Sequence, residues 1–341
     1  MNKMAKIQSS PDLPWTVSLF ISAVSFAVDT SCRSNFTVNR RLWNLLDYKP
    51  SPLTKPHRNL KSSDVVVVGD GPSRNLWFRL YTPTAATTKK LPIIVFFHGG
   101  GFAFMSASSK LYDDFCQRLA RELPAVVVSV NYRLSPEHRY PCQYDDGFDV
   151  LKFIDGSGSS SSCLFEGANL GQCFLAGDSA GGNIAHHVAI RASGHEFRQV
   201  KVVGMLAIQP FFGGEERTES ETRLKNMPLV NIERTDWMWK AFLPEGSDRD
   251  HPVANVFGPN AVDISGVDFP ATVVFVGGLD QLQDWQKRYY EGLKKRGKQA
   301  ELVVFPNAIH TFYAYPELDD SSVFIHKVRD FVQAHATETQ H

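Results

Sequence analysis

The chain has 341 residues, 43% hydrophobic and 21% charged, the make-up of an ordinary globular protein with one large domain or two modest ones. Thirty-six Lys and Arg balance thirty-six Asp and Glu, so no global field draws the protein to nucleic acid or to an anionic membrane. The five cysteines, Cys32, Cys116, Cys142, Cys163 and Cys173, are scattered and odd in number, which fits neither a disulfide framework nor a zinc or redox pair and points to a reducing, cytoplasmic setting.

The first structured element is WTVSLFISAVSFAV (15–28), preceded by Lys3 and Lys6. It is too short to span a bilayer. Ser18, Ser22, Ser25 and Asp29 recur at helical spacing, so the stretch reads as an amphipathic helix packed on the body; the competing reading, a signal peptide, has no need of a polar face. Residues 1–62 thus form a helical and irregular arm that ends in Pro50, Pro52 and Pro56. VVVV (65–68) and LWFRLY (76–81), separated by Gly69, Gly71 and Pro72, read as an antiparallel pair. IIVFF (93–97), AVVVSV (125–130), CFLA (173–176), VVGMLAI (202–208), TVVFV (272–276) and ELVVF (301–305) follow, several of them continuously apolar, as in strands covered on both faces. Helices are expected between and after them at 109–122, 144–155, 181–193, 282–297 and 321–336. Such alternation specifies an α/β architecture, a mostly parallel sheet with helices on both faces.

Two segments break the alternation. GSGSSSS (156–162) is a surface loop by composition. Residues 211–258, with Trp237, Trp239 and Phe242 near helical spacing, read as a helical insertion in a 63–341 catalytic domain. With the arm, it would cap the strand ends.

Gly177-Asp178-Ser179-Ala180-Gly181 lies between the strand CFLA and a helix, the setting in which G-x-S-x-G presents a nucleophilic serine on a tight turn. His98-Gly99-Gly100-Gly101-Phe102 follows IIVFF. Backbone N–H groups of Gly99 and Gly100, or of Gly100 and Gly101, together with that of Ala180, could hold the oxyanion of an acyl-transfer intermediate. A phosphate-binding loop is the alternative, but no Lys-Ser/Thr pair follows. Asp280 comes after TVVFV and His310 after ELVVF, so both sit where parallel strands end and active sites gather. Ser179, Asp280 and His310 also keep the chain order of a hydrolase triad, with Asp284 as the rival acid. His186 and His187, on the helix behind the serine, read as packing residues, and no metal-ligand spacing is present. Arg133, within NYRLSPEH (131–138), is expected to pair with Glu137, Asp145 or Asp146 and brace the loops beneath the site.

H-G-G-G-F, Y-R-L-S-P-E-H, G-D-S-A-G-G-N and G-G-L-D with His310 resemble the hormone-sensitive-lipase-like branch of the α/β-hydrolases, and more narrowly the plant carboxylesterases. Thr37–Leu42, Leu46-Asp47 and Trp239–Gly246 extend that resemblance across nearly the whole chain, and they are shared with the related gibberellin receptors. The resemblance implies an α/β-hydrolase fold and a serine esterase that uses Ser179, His310 and Asp280. It requires no cofactor, works on a small-molecule ester, and is expected to be a monomer. Phe102, Trp237 and Tyr313 are expected to line an apolar substrate pocket. The receptor pattern typically lacks the triad histidine, has Ser at the place of Gly101, and carries Asp-Arg-Asp-Trp-Tyr-Trp where this chain has Arg234-Thr235-Asp236-Trp237-Met238-Trp239. Related sequences also turn the same site to elimination or cyclisation, and an intact Ser179 favours acyl transfer.

Overall fold

In the computed structural model, which describes residues 11–67, 75–85, 89–157, 164–225 and 227–336, strands and helices alternate as the apolar runs require. Helices α1 (Trp15–Ser31) and α2 (Arg40–Leu46) precede β1 (Leu60–Val66), β2 (Trp77–Pro83) and β3 (Leu91–Phe97). Next come α3 (Lys110–Glu122), β4 (Val126–Asn131), α4 (Cys142–Ser157), β5 (Ala168–Asp178), α5 (Ala180–Ser193) and β6 (Val202–Ile208). The insertion supplies α6 (Glu219–Arg223) and α7 (Ile232–Phe242); β7 (Ala271–Gly277), α8 (Gln283–Lys295), β8 (Ala300–Phe305) and α9 (Asp319–His335) follow.

The described strands form one eight-stranded sheet in the order β1-β2-β4-β3-β5-β6-β7-β8. Pairing is antiparallel for β1 with β2 and β2 with β4, and parallel from β4 to β8. The five apolar residues at the end of β3 illustrate why its run is unbroken. Ile93, Val95 and Phe97 enter one core with Val150 of α4 and Ile184 of α5, whereas Ile94 and Phe96 enter the other with Phe115 of α3 and Phe324 of α9. Alternate side chains leave opposite faces, and both faces are covered.

Two expectations need adjustment. β1 begins at Leu60, so the sheet starts inside the residues assigned to the arm; Leu60 and Ser62 are buried while Lys61 and Ser63 are exposed. The first five residues of this edge strand, LKSSD, are mostly polar, so only Val65 and Val66 at its end show as an apolar run. The turn between β1 and β2 and most of GSGSSSS lie outside the described residues, and Gly156 and Ser157 finish α4.

The arm packs on the body with α1 burying Val17, Ile21, Ala27 and Val28. Its outward side carries Trp15, Leu19 and Phe26, all well exposed. Arg40 pins the second half of the arm, bonding Glu137 and the carbonyl oxygens of Ala103 and Ser135. No helix among the described residues is long and apolar enough to cross a membrane.

Candidate active site

β5 ends at Asp178 and α5 begins at Ala180, so Ser179 makes the turn alone, at φ 51° and ψ −120°. An L residue in such a conformation costs about 1–3 kcal/mol and stays there only when its surroundings fix it. They do: the Ser179 N–H donates to Ile208 O at 2.9 Å, and its carbonyl accepts the N–H groups of Phe211 at 2.8 Å and Gly182 at 3.0 Å. A Cβ at Gly181 would lie 1.9 Å from the Phe97 carbonyl oxygen, so only glycine lets α5 start against the end of β3. As the first residue of α5, Ala180 has an N–H with no acceptor inside the helix.

His310 Nδ1 lies 2.7 Å from Asp280 Oδ2. β7 and β8 are parallel neighbours, so the loops leaving them emerge side by side. Asp280 is 1% exposed, yet its carboxylate is fully engaged. Oδ2 also accepts from Gln286 Nε2 at 2.8 Å and Gln209 Nε2 at 3.0 Å, and Oδ1 accepts the Leu282 N–H at 2.9 Å. Burial alone would lower the pKa of His310, but the Asp280 charge and hydrogen bond outweigh it and hold the imidazole above its ordinary value, with Asp178 adding to the rise. Asp284 sits in the first turn of α8 and accepts the Ser220 N–H at 2.8 Å, a structural task away from the imidazole.

The glycine loop is sorted by its hydrogen bonds. The Gly99 N–H donates to the Tyr112 hydroxyl at 2.9 Å, and that hydroxyl donates to Asp178 Oδ2 at 2.9 Å. Gly99 is therefore committed, which leaves Gly100, Gly101 and Ala180 as the donors available to an oxyanion. Burial pushes Asp178 up to about 6, opposed by the hydroxyls of Tyr313 and Tyr112. Beneath the loop the Tyr132 hydroxyl donates to His98 O at 2.7 Å, and Arg133 grips Asp146 at 2.8 Å, the bracing that its sequence context suggested.

Ser179, His310, Gly100 and Gly101 line one cavity whose walls are mostly apolar, with Val24 and Val28 from α1, Phe104, Phe211, Met238 and Leu282 among them. Phe102, Trp237 and Tyr313 do not line it. Phe102, at φ 63°, is turned into the core and stacks on Phe242 with centroids 3.7 Å apart. Trp237 reaches the arm, its indole N–H donating to Arg33 O at 2.9 Å. Tyr313 is buried against Phe115, with centroids 4.7 Å apart. On α7 the cavity face is Arg234, Thr235 and Met238, one turn of helix, so Trp237 beside them points elsewhere. Gln209 and Gln286, which hold Asp280, escaped the sequence reading; their one signal was a polar residue directly after an apolar strand and another in the first turn of the helix after Asp280. His186 and His187 pack as expected, His186 Nδ1 lying 3.0 Å from the Tyr289 hydroxyl.

A family profile described as an alpha/beta hydrolase fold matches residues 94–314. The chain belongs to the α/β-hydrolase family. Within it, the chain is 42% identical to the gibberellin receptor GID1C of Arabidopsis thaliana, over 96% of each. It is 38% identical to Carboxylesterase 20 of the same plant, covering 76% of this chain and 82% of the relative. Against the 3-O-acetylpapaveroxine carboxylesterase CXE1 of Papaver somniferum it is 34% identical over 83% of this chain and 91% of that one. Among solved structures, the esterase of Pyrobaculum calidifontis superposes with a TM-score of 0.69 at 26% identity, covering 95% of this chain and 94% of that one. This α/β-hydrolase thus stands among plant carboxylesterases and hormone receptors, on the frame of the hormone-sensitive-lipase-like esterases.

Proposed function

We propose that this α/β-hydrolase is a carboxylesterase for short-acyl esters of small, largely apolar alcohols, working through an acyl-Ser179 intermediate. One observation carries the reading: an imidazole bonded through Nδ1 to a buried carboxylate shares a cavity with a serine on a strained turn and with a glycine loop. With Nδ1 engaged by Asp280, Nε2 of His310 is the nitrogen that takes the Ser179 proton as Oγ attacks the ester carbonyl. Gly100, Gly101 and Ala180 hold the oxyanion, and each such donor is worth about 3–4 kcal/mol of barrier. His310 then protonates the leaving alcohol, and a water activated by the same nitrogen releases the acid. No cofactor enters any step.

The lining supports this substrate class. Arg234, the cation on the wall, is neutralised by Asp29 through two 2.7 Å bonds, so an uncharged, apolar ester suits the cavity best. The 3-O-acetyl ester in the name of the poppy relative belongs to the same class. Scattered cysteines, with Cys32, Cys116, Cys142 and Cys173 free, favour the cytoplasm, and the enzyme is proposed to act as a monomer.

The 42% identity to a gibberellin receptor over nearly the whole chain favours a second reading, a binder without turnover. His310, the intact glycine triplet and the replacement of three residues of the receptor run, by Arg234, Thr235 and Met238, weigh against it. Hydrolysis of a series of p-nitrophenyl acyl esters separates the two. An esterase gives saturable turnover that Ser179→Ala abolishes, whereas a binder gives ligand affinity and no turnover.

A further inference from the structure

Gln209 directly follows β6, the strand between the one that delivers Ser179 and the one that leads to Asp280. Its side chain is fully buried, and its amide is spent entirely on the surroundings of His310. Nε2 donates to Asp280 Oδ2 at 3.0 Å and to Ile309 O at 3.1 Å, while Oε1 accepts the Thr311 N–H at 2.8 Å. One group therefore grips the backbone on both sides of His310 and the carboxylate that bonds its ring. The amide orientation is fixed by these partners, because a flip would set Oε1 against a carboxylate and a carbonyl.

The backbone of Gln209 is itself held. Its φ is 42°, and its N–H donates to Phe275 O on β7 at 2.9 Å. The neighbouring strand leaves room for it, since a Cβ at Gly277 would lie 2.5 Å from Gln209 Nε2. A glycine at the end of β7 is what lets the side chain cross to Asp280.

We infer that Gln209 is a positioning residue for the His310–Asp280 pair, fixing imidazole and carboxylate in register through a single neutral amide. Common replacements lack this pairing: a Ser or Thr hydroxyl is too short, and a thioether bonds neither partner. The role rests on the esterase reading above, because the pair needs a fixed register only if it moves protons.

The test is the pH dependence of p-nitrophenyl acetate hydrolysis by the wild type, Gln209→Met and Gln209→Glu. Loss of the amide in Gln209→Met is expected to lower kcat about 10- to 100-fold, the scale of a misplaced catalytic group, with KM changed less than about twofold. Gln209→Glu keeps the acceptor for Thr311, but its carboxyl, buried about 3 Å from Asp280, stays protonated and donates one bond where the amide donates two. It is expected to lower kcat by less than Gln209→Met does and to leave the acid-limb midpoint near the wild-type value. A merely structural Gln209 would lower the melting temperature of both variants and leave kcat of the folded enzyme unchanged. Wild-type kcat in both folded variants overturns the inference, and where Gln209→Met fails to fold, kcat of Gln209→Glu decides. Ser179→Ala and His310→Ala, run alongside, keep the two ideas apart. Turnover surviving in them sinks the esterase reading, whereas turnover lost in them and unchanged in the Gln209 variants sinks this inference alone.

Discussion

Arg234 of α7 clasps Asp29 of α1 through two hydrogen bonds of 2.7 Å, joining segments 205 residues apart. The same guanidinium also bonds Ser25 and Leu229 O, so the polar stripe of the arm helix is what fastens it to the insertion. Asp29 is 58% exposed, and an exposed pair is worth no more than about 1 kcal/mol. Asp29→Asn is therefore expected to leave global stability nearly unchanged while loosening α1, which walls the cavity with Val24 and Val28. Faster amide exchange in α1 and a several-fold higher KM would show it; unchanged exchange would place the fastening elsewhere.

Tyr112 links the glycine loop to the serine turn, accepting from Gly99 and donating to Asp178. Tyr112→Phe strips both partners inside a buried site, which costs about 1–3 kcal/mol. Denaturant unfolding should record that loss. The kcat should fall as well, since the loop that carries Gly100 and Gly101 loses its anchor. A variant as stable and as active as the wild type would mean that the loop is fixed by other contacts.

The pH responses of activity and stability should oppose each other. In the proposed mechanism catalysis needs neutral His310, whose pKa in the folded state lies above the ordinary 6.5, so activity should rise with pH through a midpoint above that value. The stabilising contribution of the charged imidazole runs the other way: it is fully present below about 6.5 and is lost as pH rises through the folded value. Asp178 adds in the same sense. Its folded pKa, about 6, exceeds the ordinary 3.8, so stability falls between those values as the buried carboxyl must ionise. Denaturant titrations from acid to neutral pH should show this slope in the wild type and a shallower one in Asp178→Asn.

Met238 lies over the glycine loop, its Sδ 2.0 Å from where a Cβ on Gly101 would be. Shortening it in Met238→Ala enlarges the cavity beside the reacting carbonyl. One methylene in such a pocket is worth about 1–3 kcal/mol of discrimination, so the preferred acyl length in a p-nitrophenyl ester series should shift upward. An unchanged chain-length profile would show that Met238 does not bound the acyl group.

The contrast between these residues explains how much was legible in advance. The fold, and the turn and strand ends that carry Ser179, Asp280 and His310, were readable because unbroken apolar runs mark doubly covered strands, and the turn glycines sit where a Cβ would strike backbone. Gly99 could not be told from Gly101, because its distinguishing partner, Tyr112, lies on a helix whose approach is a tertiary fact. Phe102 misled for a similar reason: a positive φ reverses the loop and sends the ring inward. Gln209 resembled a loop residue until β6 and β7 were side by side, with Gly277 open between them.

If Ser179 is the nucleophile, an organophosphonate ester will phosphonylate it, and mapping the adduct decides the question. One covalent phosphonyl group per chain is expected, on Ser179, forming at a rate that follows the deprotonation of His310 and absent from Ser179→Ala. An unlabelled protein that still binds small apolar ligands, or a label on another residue, would rule out Ser179 as the nucleophile.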